Sequence, residues 1–242
     1  MKSIATDIVP VDDPALVTVA KALIDGAVFK GVLTHAGDSY LSRNREELEA
    51  CAANEVHQIM KAATVLKDAG YPCEIVSVGS TPTFTAVKDT EGVTEYRSGV
   101  GVFHDLVMAG LNVCKIEEIA LSVLVTVIGH QPQKGWIITD GGWMAMSRDR
   151  GTAAQAVDWG YGLVCDEAGK PIENLWMKSA NQEHGIVCSR DGSAIDPEAF
   201  PVGTRLRILP NHACPTAAAF DKYFVVDEKN NVQTIWPKIN NW

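Results

Sequence analysis

The sequence predicts an α/β plus β architecture: a partial (β/α) barrel over residues 1–118, then an antiparallel β domain over residues 119–242. Three observations predict it. Up to about Asp105, helix-like and strand-like segments alternate, the pattern of parallel strands joined by crossover helices. From about Ile119 onward, short β-rich runs follow one another at turn-punctuated intervals, as in an antiparallel sheet or small barrel. The first part has room for only two or three βα units, whereas a closed eight-unit barrel takes roughly 250 residues by itself.

Each element has its own signal. Asp13-Pro14 opens a helix running towards Asp25, with proline near its first position and Leu16, Val19, Ala20 and Leu23 at helical spacing. Phe29 to His35 reads as a short strand. A long helix is predicted from Asn44 to Ala69, its apolar face marked by Leu48, Cys51, Ala52, Val56, Ile59 and Met60, with Gly70 as its stop. Cys73 to Val78 reads as the next strand and runs into Gly79-Ser80-Thr81-Pro82-Thr83. In the second part, strands are predicted at 120–129, 135–140, 157–165, 185–189, 204–209 and 223–227. No internal repeat and no low-complexity segment is evident.

Composition narrows the function classes. The chain has 242 residues, 46% of them hydrophobic and 21% charged, so it has the makings of a sizeable core. Its net charge of −9 argues against non-specific binding to nucleic acid or to an anionic membrane, since both need a basic surface. The longest apolar stretch, Ile119 to Gly129, is too short to span a bilayer, and the start shows no apolar signal-peptide core. The expectation is a soluble, cytoplasmic protein. The six cysteines are scattered without a CxxC pair, so they do not read as a disulfide framework. Five read as small buried hydrophobes, and Cys214 stands apart.

Several short segments carry candidate chemistry. Gly79-Ser80-Thr81-Pro82-Thr83 joins a strand to a helix start, where outward N–H groups and two hydroxyls suit a phosphate. The same residues equally make a plain helix N-cap. In His212-Ala213-Cys214 an extended backbone would point the imidazole and thiol to one side, a soft N/S pair that favours zinc. Such triplets are common, and a buried thiol beside a loop histidine is the plainer reading. His35 lies at a strand C-terminus with Tyr40 five residues on, where parallel α/β folds keep their active sites, or it merely caps the strand. Asp140-Gly141-Gly142-Trp143, Ser147-Arg148-Asp149-Arg150-Gly151 and Glu183-His184-Gly185 are weaker, and His57 and His130 read as incidental.

Taken in order, these segments resemble the D-serine dehydratase/D-threonine aldolase family, the metal-dependent branch of the alanine-racemase-like (fold type III) pyridoxal-phosphate enzymes. The resemblance runs from Asp12 to about Trp236. It implies pyridoxal 5'-phosphate in the β/α part, with Gly79, Ser80 and Thr81 on its phosphate, Tyr40 on its ring and His35 close by. It implies Zn2+ on His212 and Cys214. The implied activity is a lyase of small-molecule D-β-hydroxy amino acids, D-serine dehydratase-like, converting D-serine to pyruvate and ammonia. The alternatives are a D-threonine aldolase and a truncated, non-catalytic remnant. A homodimer is expected by analogy with related enzymes.

One departure is specific. The family's cofactor-holding lysine lies in a Pro-His-x-Lys-Thr-His segment on its first barrel strand, and this chain has no such segment. The lysines at 2, 21, 30 and 61 stand in other contexts. No catalytic lysine is therefore assigned, and the chain reads as resembling the C-terminal two-thirds of a family member.

Overall fold

The computed structural model describes residues 9–239; the expectations for the first residues, Lys2 included, lie outside the described residues. The chain divides into two compact units. One runs to Val102 and adds Leu111–Val113; the other comprises Phe103–Gly110 and everything from Cys114. The texture of the sequence changes near residue 119, but the chain is already committed to the second unit at Phe103. Leu106 packs with Leu163, Cys165 and Leu209, and the Ala120 N–H donates to the Phe103 carbonyl.

The first unit is a three-stranded parallel sheet with helices. Its elements are α1 (Ala15–Ile24), β1 (Gly31–Leu33), α2 (Arg45–Asp68), β2 (Ile75–Val78), α3 (Thr81–Ala86) and β3 (Glu95–Tyr96). The strand order is β1-β2-β3, and both pairs are parallel. Helix α2 forms where its sequence says it should. The Asn44 side chain accepts from the Glu47 N–H at 2.8 Å, and the face of Leu48, Ala52, Ile59, Ala63 and Leu66 is buried. It stops at Gly70, whose φ of 89° a side chain would strain. There the Tyr71 N–H donates to Leu66 and the Gly70 N–H to Lys67, closing the last turn. Ile59 and Ala63 pack on Val76 and Val78 of β2, which fixes the helix on the sheet.

The second unit opens with α4 (Leu106–Gly110) and builds a closed barrel in the order β4-β5-β8-β7-β6-β9. The strands are β4 (Val123–Gln131), β5 (Trp136–Thr139), β6 (Leu163–Cys165), β7 (Pro171–Ala180), β8 (Gly185–Ser189) and β9 (Arg205–Leu209). All its pairings are antiparallel. Alternation decides what faces in: Val123, Val125 and Val127 of β4 are buried while Leu124 and Ile128 are exposed. Helix α5 (Trp143–Met146) follows β5, and α6 (Ala213–Ala218) follows β9. A hairpin, β10 (Lys222–Val226) with β11 (Val232–Pro237), completes the described chain.

The strands differ from expectation in four places. The stretch 157–165 is a strand only from Leu163, because Gly160 (φ 63°) and Gly162 (φ 153°) turn the backbone first. Strand β7 and strand β11 were not anticipated, nor was the two-residue β3. No helix among the described residues is long and apolar enough to cross a membrane.

Candidate active site and metal centre

In the first unit, the candidate residues gather where the parallel strands end. His35 follows β1, and its ring centroid lies 5.9 Å from that of Tyr40, which sits on a short 3₁₀ turn, Gly37–Leu41. Ser39 of that turn shares a 3.0 Å hydroxyl–hydroxyl hydrogen bond with Ser80. The His35–Tyr40 pair and the Gly79–Thr81 loop thus share one end of the sheet.

The loop's donors are engaged in ways the sequence did not specify. The Gly79 N–H donates to the Glu55 carboxylate at 3.1 Å. Ser80 caps α3: its hydroxyl accepts from the Thr83 N–H at 3.2 Å. Thr81 is buried, and its hydroxyl accepts from the Gly101 N–H at 3.1 Å. Glycine at 79 is required by packing, since a Cβ there would sit 2.7 Å from the Arg97 carbonyl oxygen. The Gly79 amide and the Ser80 and Thr81 hydroxyls, expected to serve a phosphate, thus have hydrogen-bond partners within the protein. The helix-capping alternative describes these atoms, and the main-chain amides of Ser80 and Thr81 at the start of α3 are what the loop has to give a phosphate.

Glu55, unremarked in the sequence, organises this end of the sheet. It is buried on α2 and accepts from Thr34 Oγ1 at 2.9 Å, the Gly79 N–H, and Thr83 Oγ1 at 2.7 Å. Arg97 ties the same ends from the other side, donating to the Thr34 carbonyl and to Ser77 Oγ. The signal for Glu55 was its spacing: it stands three after Ala52 and four before Ile59, on the buried face.

In the second unit, β9 ends at Leu209 and the chain turns through Pro210-Asn211 into His212-Ala213-Cys214. His212 is the N-cap of α6, with extended backbone (φ −136°, ψ 110°). Its Nδ1 lies 2.7 Å from Asp149 Oδ2. A carboxylate there accepts the Nδ1 proton and leaves Nε2 for a cation, the usual carboxylate–histidine–metal arrangement. Hydrogen bonding to Cys214, reinforced by Asp149, raises the His212 pKa to about 9, against the opposing effect of burial. Cys214 is exposed, whereas Cys165 and Cys188 are buried, and burial pushes the Cys165 thiol up to about 12. Cys214 is thus the accessible soft donor beside an oriented imidazole, which fits zinc. Among the described residues no group of three or more His, Cys, Asp or Glu has metal-holding geometry.

The turn is braced from below. Asn211 is buried; its Nδ2 donates to the carbonyls of Gly160 (2.6 Å) and Asp149 (3.2 Å), and its Oδ1 accepts from Thr152 Oγ1 at 2.9 Å. Thr216 Oγ1 donates to the Met146 carbonyl at 2.7 Å. The Ser147–Gly151 segment, of unassigned purpose in the sequence, hence serves His212 through Asp149. Glu183-His184-Gly185 forms a corner, with Asn181 Nδ2 and His184 Nε2 at 2.9 Å. His130 Nε2 is 2.7 Å from the Phe200 carbonyl oxygen, a structural tie.

Comparison with known proteins shows what the chain is similar to. Residues 120–226 match a family model described as "Putative serine dehydratase domain". The chain is 53% identical over 234 residues to the D-threo-3-hydroxyaspartate dehydratase of Delftia sp. (strain HT23), covering 96% of this chain and 61% of that protein. It is 29% identical to the D-serine dehydratase of Dictyostelium discoideum, over 88% of this chain and 55% of that one. The solved structure of the Delftia enzyme superposes with a TM-score of 0.89, covering 97% of this chain and 62% of that chain at 52% identity. D-threonine aldolase from Filomicrobium marinum superposes at 0.72, with 26% identity over 94% of this chain and 57% of that one. A D-threo-3-hydroxyaspartate dehydratase has also been solved as a cysteine-to-alanine variant in a metal-free form and as a histidine-to-alanine variant. Those two substituted positions are two residues apart, as are His212 and Cys214. This chain spans 61% and 55% of the length of these two curated relatives; residues 120–226 match the putative serine dehydratase domain, and nearly the whole chain is similar to amino-acid dehydratases with an alanine-racemase-like fold.

Proposed function

We propose that this chain carries the metal pair and part of the cofactor cradle of a pyridoxal-phosphate- and zinc-dependent lyase of D-β-hydroxy amino acids. One observation carries the reading: an imidazole oriented by a carboxylate at 2.7 Å, two residues from an exposed thiol. His212 and Cys214 would hold the zinc, and Asp149 would keep His212 in the metal-binding tautomer. The Ser80 and Thr81 amides would receive the phosphate, with the Tyr40 and His35 rings beside the pyridine ring. When bound, pyridoxal phosphate supplies an electron sink for charge at Cα, and zinc a Lewis acid for the β-hydroxyl.

The higher identity to the Delftia enzyme makes D-threo-3-hydroxyaspartate the first substrate to test, with D-serine second. The deciding experiment measures zinc content and ammonia release from both substrates for the purified 242-residue chain. One zinc per chain, lost in Cys214→Ala, supports the metal assignment; unchanged zinc in that variant sinks it. Faster ammonia release from D-threo-3-hydroxyaspartate supports the first substrate reading, and faster release from D-serine the second.

A further inference from the structure

We infer that Asp105 is a positioning residue for the His212–Cys214 metal pair, acting through the Ala213 backbone. The inference rests on reading His212 and Cys214 as metal donors. Asp105 lies 108 residues away in sequence, at the entry to α4, and is 1% exposed. Its two carboxylate oxygens have separate duties. Oδ1 accepts from the Met108 N–H at 2.9 Å, capping α4. Oδ2 accepts from the Ala213 N–H at 2.9 Å. Ala213 is the middle residue of the donor triplet and is itself fully buried. The residue before the aspartate, His104, holds a left-handed φ of 55°, an uncommon conformation for a side-chain-bearing residue.

The geometry explains why a carboxylate is used. Both neighbours are N–H donors, so the site needs two acceptors in one planar group. Asparagine has the same shape but only one acceptor, and its amide N–H would face a backbone N–H. Asp149 orients the His212 ring from the side, while Asp105 fixes the peptide that sets the separation of the two donors. Two carboxylates therefore define the pair: one holds a side chain and the other the main chain. Partners beyond the ligands themselves typically change metal affinity by about ten- to a hundredfold when removed.

The test uses cobalt(II) in the full 242-residue chain, because a cobalt–thiolate absorption reports both occupancy and ligand geometry. The unsubstituted chain should show that absorption, and Cys214→Ala should abolish it. Asp105→Asn should retain the far-UV circular dichroism of the unsubstituted chain, bind cobalt and zinc roughly ten- to a hundredfold more weakly, and shift the cobalt spectrum. Ala213→Pro removes the same bond from its other end. Proline suits the first helical position, and the extended His212 backbone suits a residue preceding proline. It should weaken cobalt binding in the same direction. Hydrogen exchange in the unsubstituted chain adds a readout independent of any variant: the Ala213 amide should exchange as slowly as barrel amides. Unchanged affinity and spectrum in either folded variant would overturn the inference, as would a fast-exchanging Ala213 amide. Absence of the cobalt–thiolate absorption in the unsubstituted chain would instead overturn the metal reading beneath it.

Discussion

The six-stranded barrel and the three-stranded parallel sheet solve the problem of unpaired strand edges in opposite ways. In the barrel every strand has two neighbours, so no row of N–H and C=O groups is left over. In the sheet, β1 and β3 each pair only with β2 among the described residues. Burial follows the same division. Ile208 and Val187 inside the barrel are fully buried, whereas Leu33 on β1 is 72% exposed. The open sheet builds its core only where α2 covers it, on Val76 and Val78, whereas the closed barrel buries its inward-facing side chains from strand to strand.

That contrast can be tested by substitution. The largest effect is expected for Ile208→Ala, which opens a cavity in the closed core and should cost about 2–5 kcal/mol. All six tryptophans lie beyond residue 135, so tryptophan fluorescence during denaturation follows the second unit. Glu55→Ala should cost about 1–3 kcal/mol, because it strands the buried Gly79 and Thr83 donors. Its readout is the helical circular dichroism signal, to which α2 contributes the longest helix. Leu33→Ala, although it removes the same kind of apolar surface as Ile208→Ala, should stay within about 0.5 kcal/mol. A cost near that of Ile208→Ala would show that the β1 edge is covered in solution. Thiol labelling at pH 8 gives the finest distinction. Cys214 should react first and Cys165 last, since burial pushes the Cys165 thiol to about 12 and keeps it protonated far below that pH. Early labelling of Cys165 would mean that the barrel opens readily.

How much of this was legible depended on the range of the interactions. Helix α2 was legible because its determinants are local: Asn44 at the start, Gly70 at the end, and a buried face at helical spacing. The His212–Cys214 pair was legible as a motif for the same reason. Strand β7 was not legible, because it contains Pro171 and Asn174 (φ 64°), residue types that are depleted in strands. Proline is tolerated at the first residue of a strand, and Asn174 marks an irregularity within it. The supports of both sites were not legible, because each joins residues far apart in the chain. Asp149 meets His212 across 63 residues, Asp105 meets Ala213 across 108, and Glu55 meets Gly79 across 24. The loop at Gly79–Thr81 shows the converse. Its motif was visible, but which of its donors are used internally depended on Glu55, Ser39 and Gly101.

On the proposed metal reading, the position of β9 would couple a cation at His212 and Cys214 to folding thermodynamics. This strand closes the ring between β4 and β6, and His212 follows three residues after its end. A cation bound by His212 and Cys214 is therefore bound by the closed ring, and by mass action it stabilises that state over the open chain. At a free concentration one hundred times the dissociation constant, the gain is about 2.7 kcal/mol. If a cation is bound there, chelation should lower the melting temperature followed by tryptophan fluorescence, which reports the unit that contains the ring. Ligand chemistry at the end of one strand would then act as a thermodynamic clasp on the whole ring.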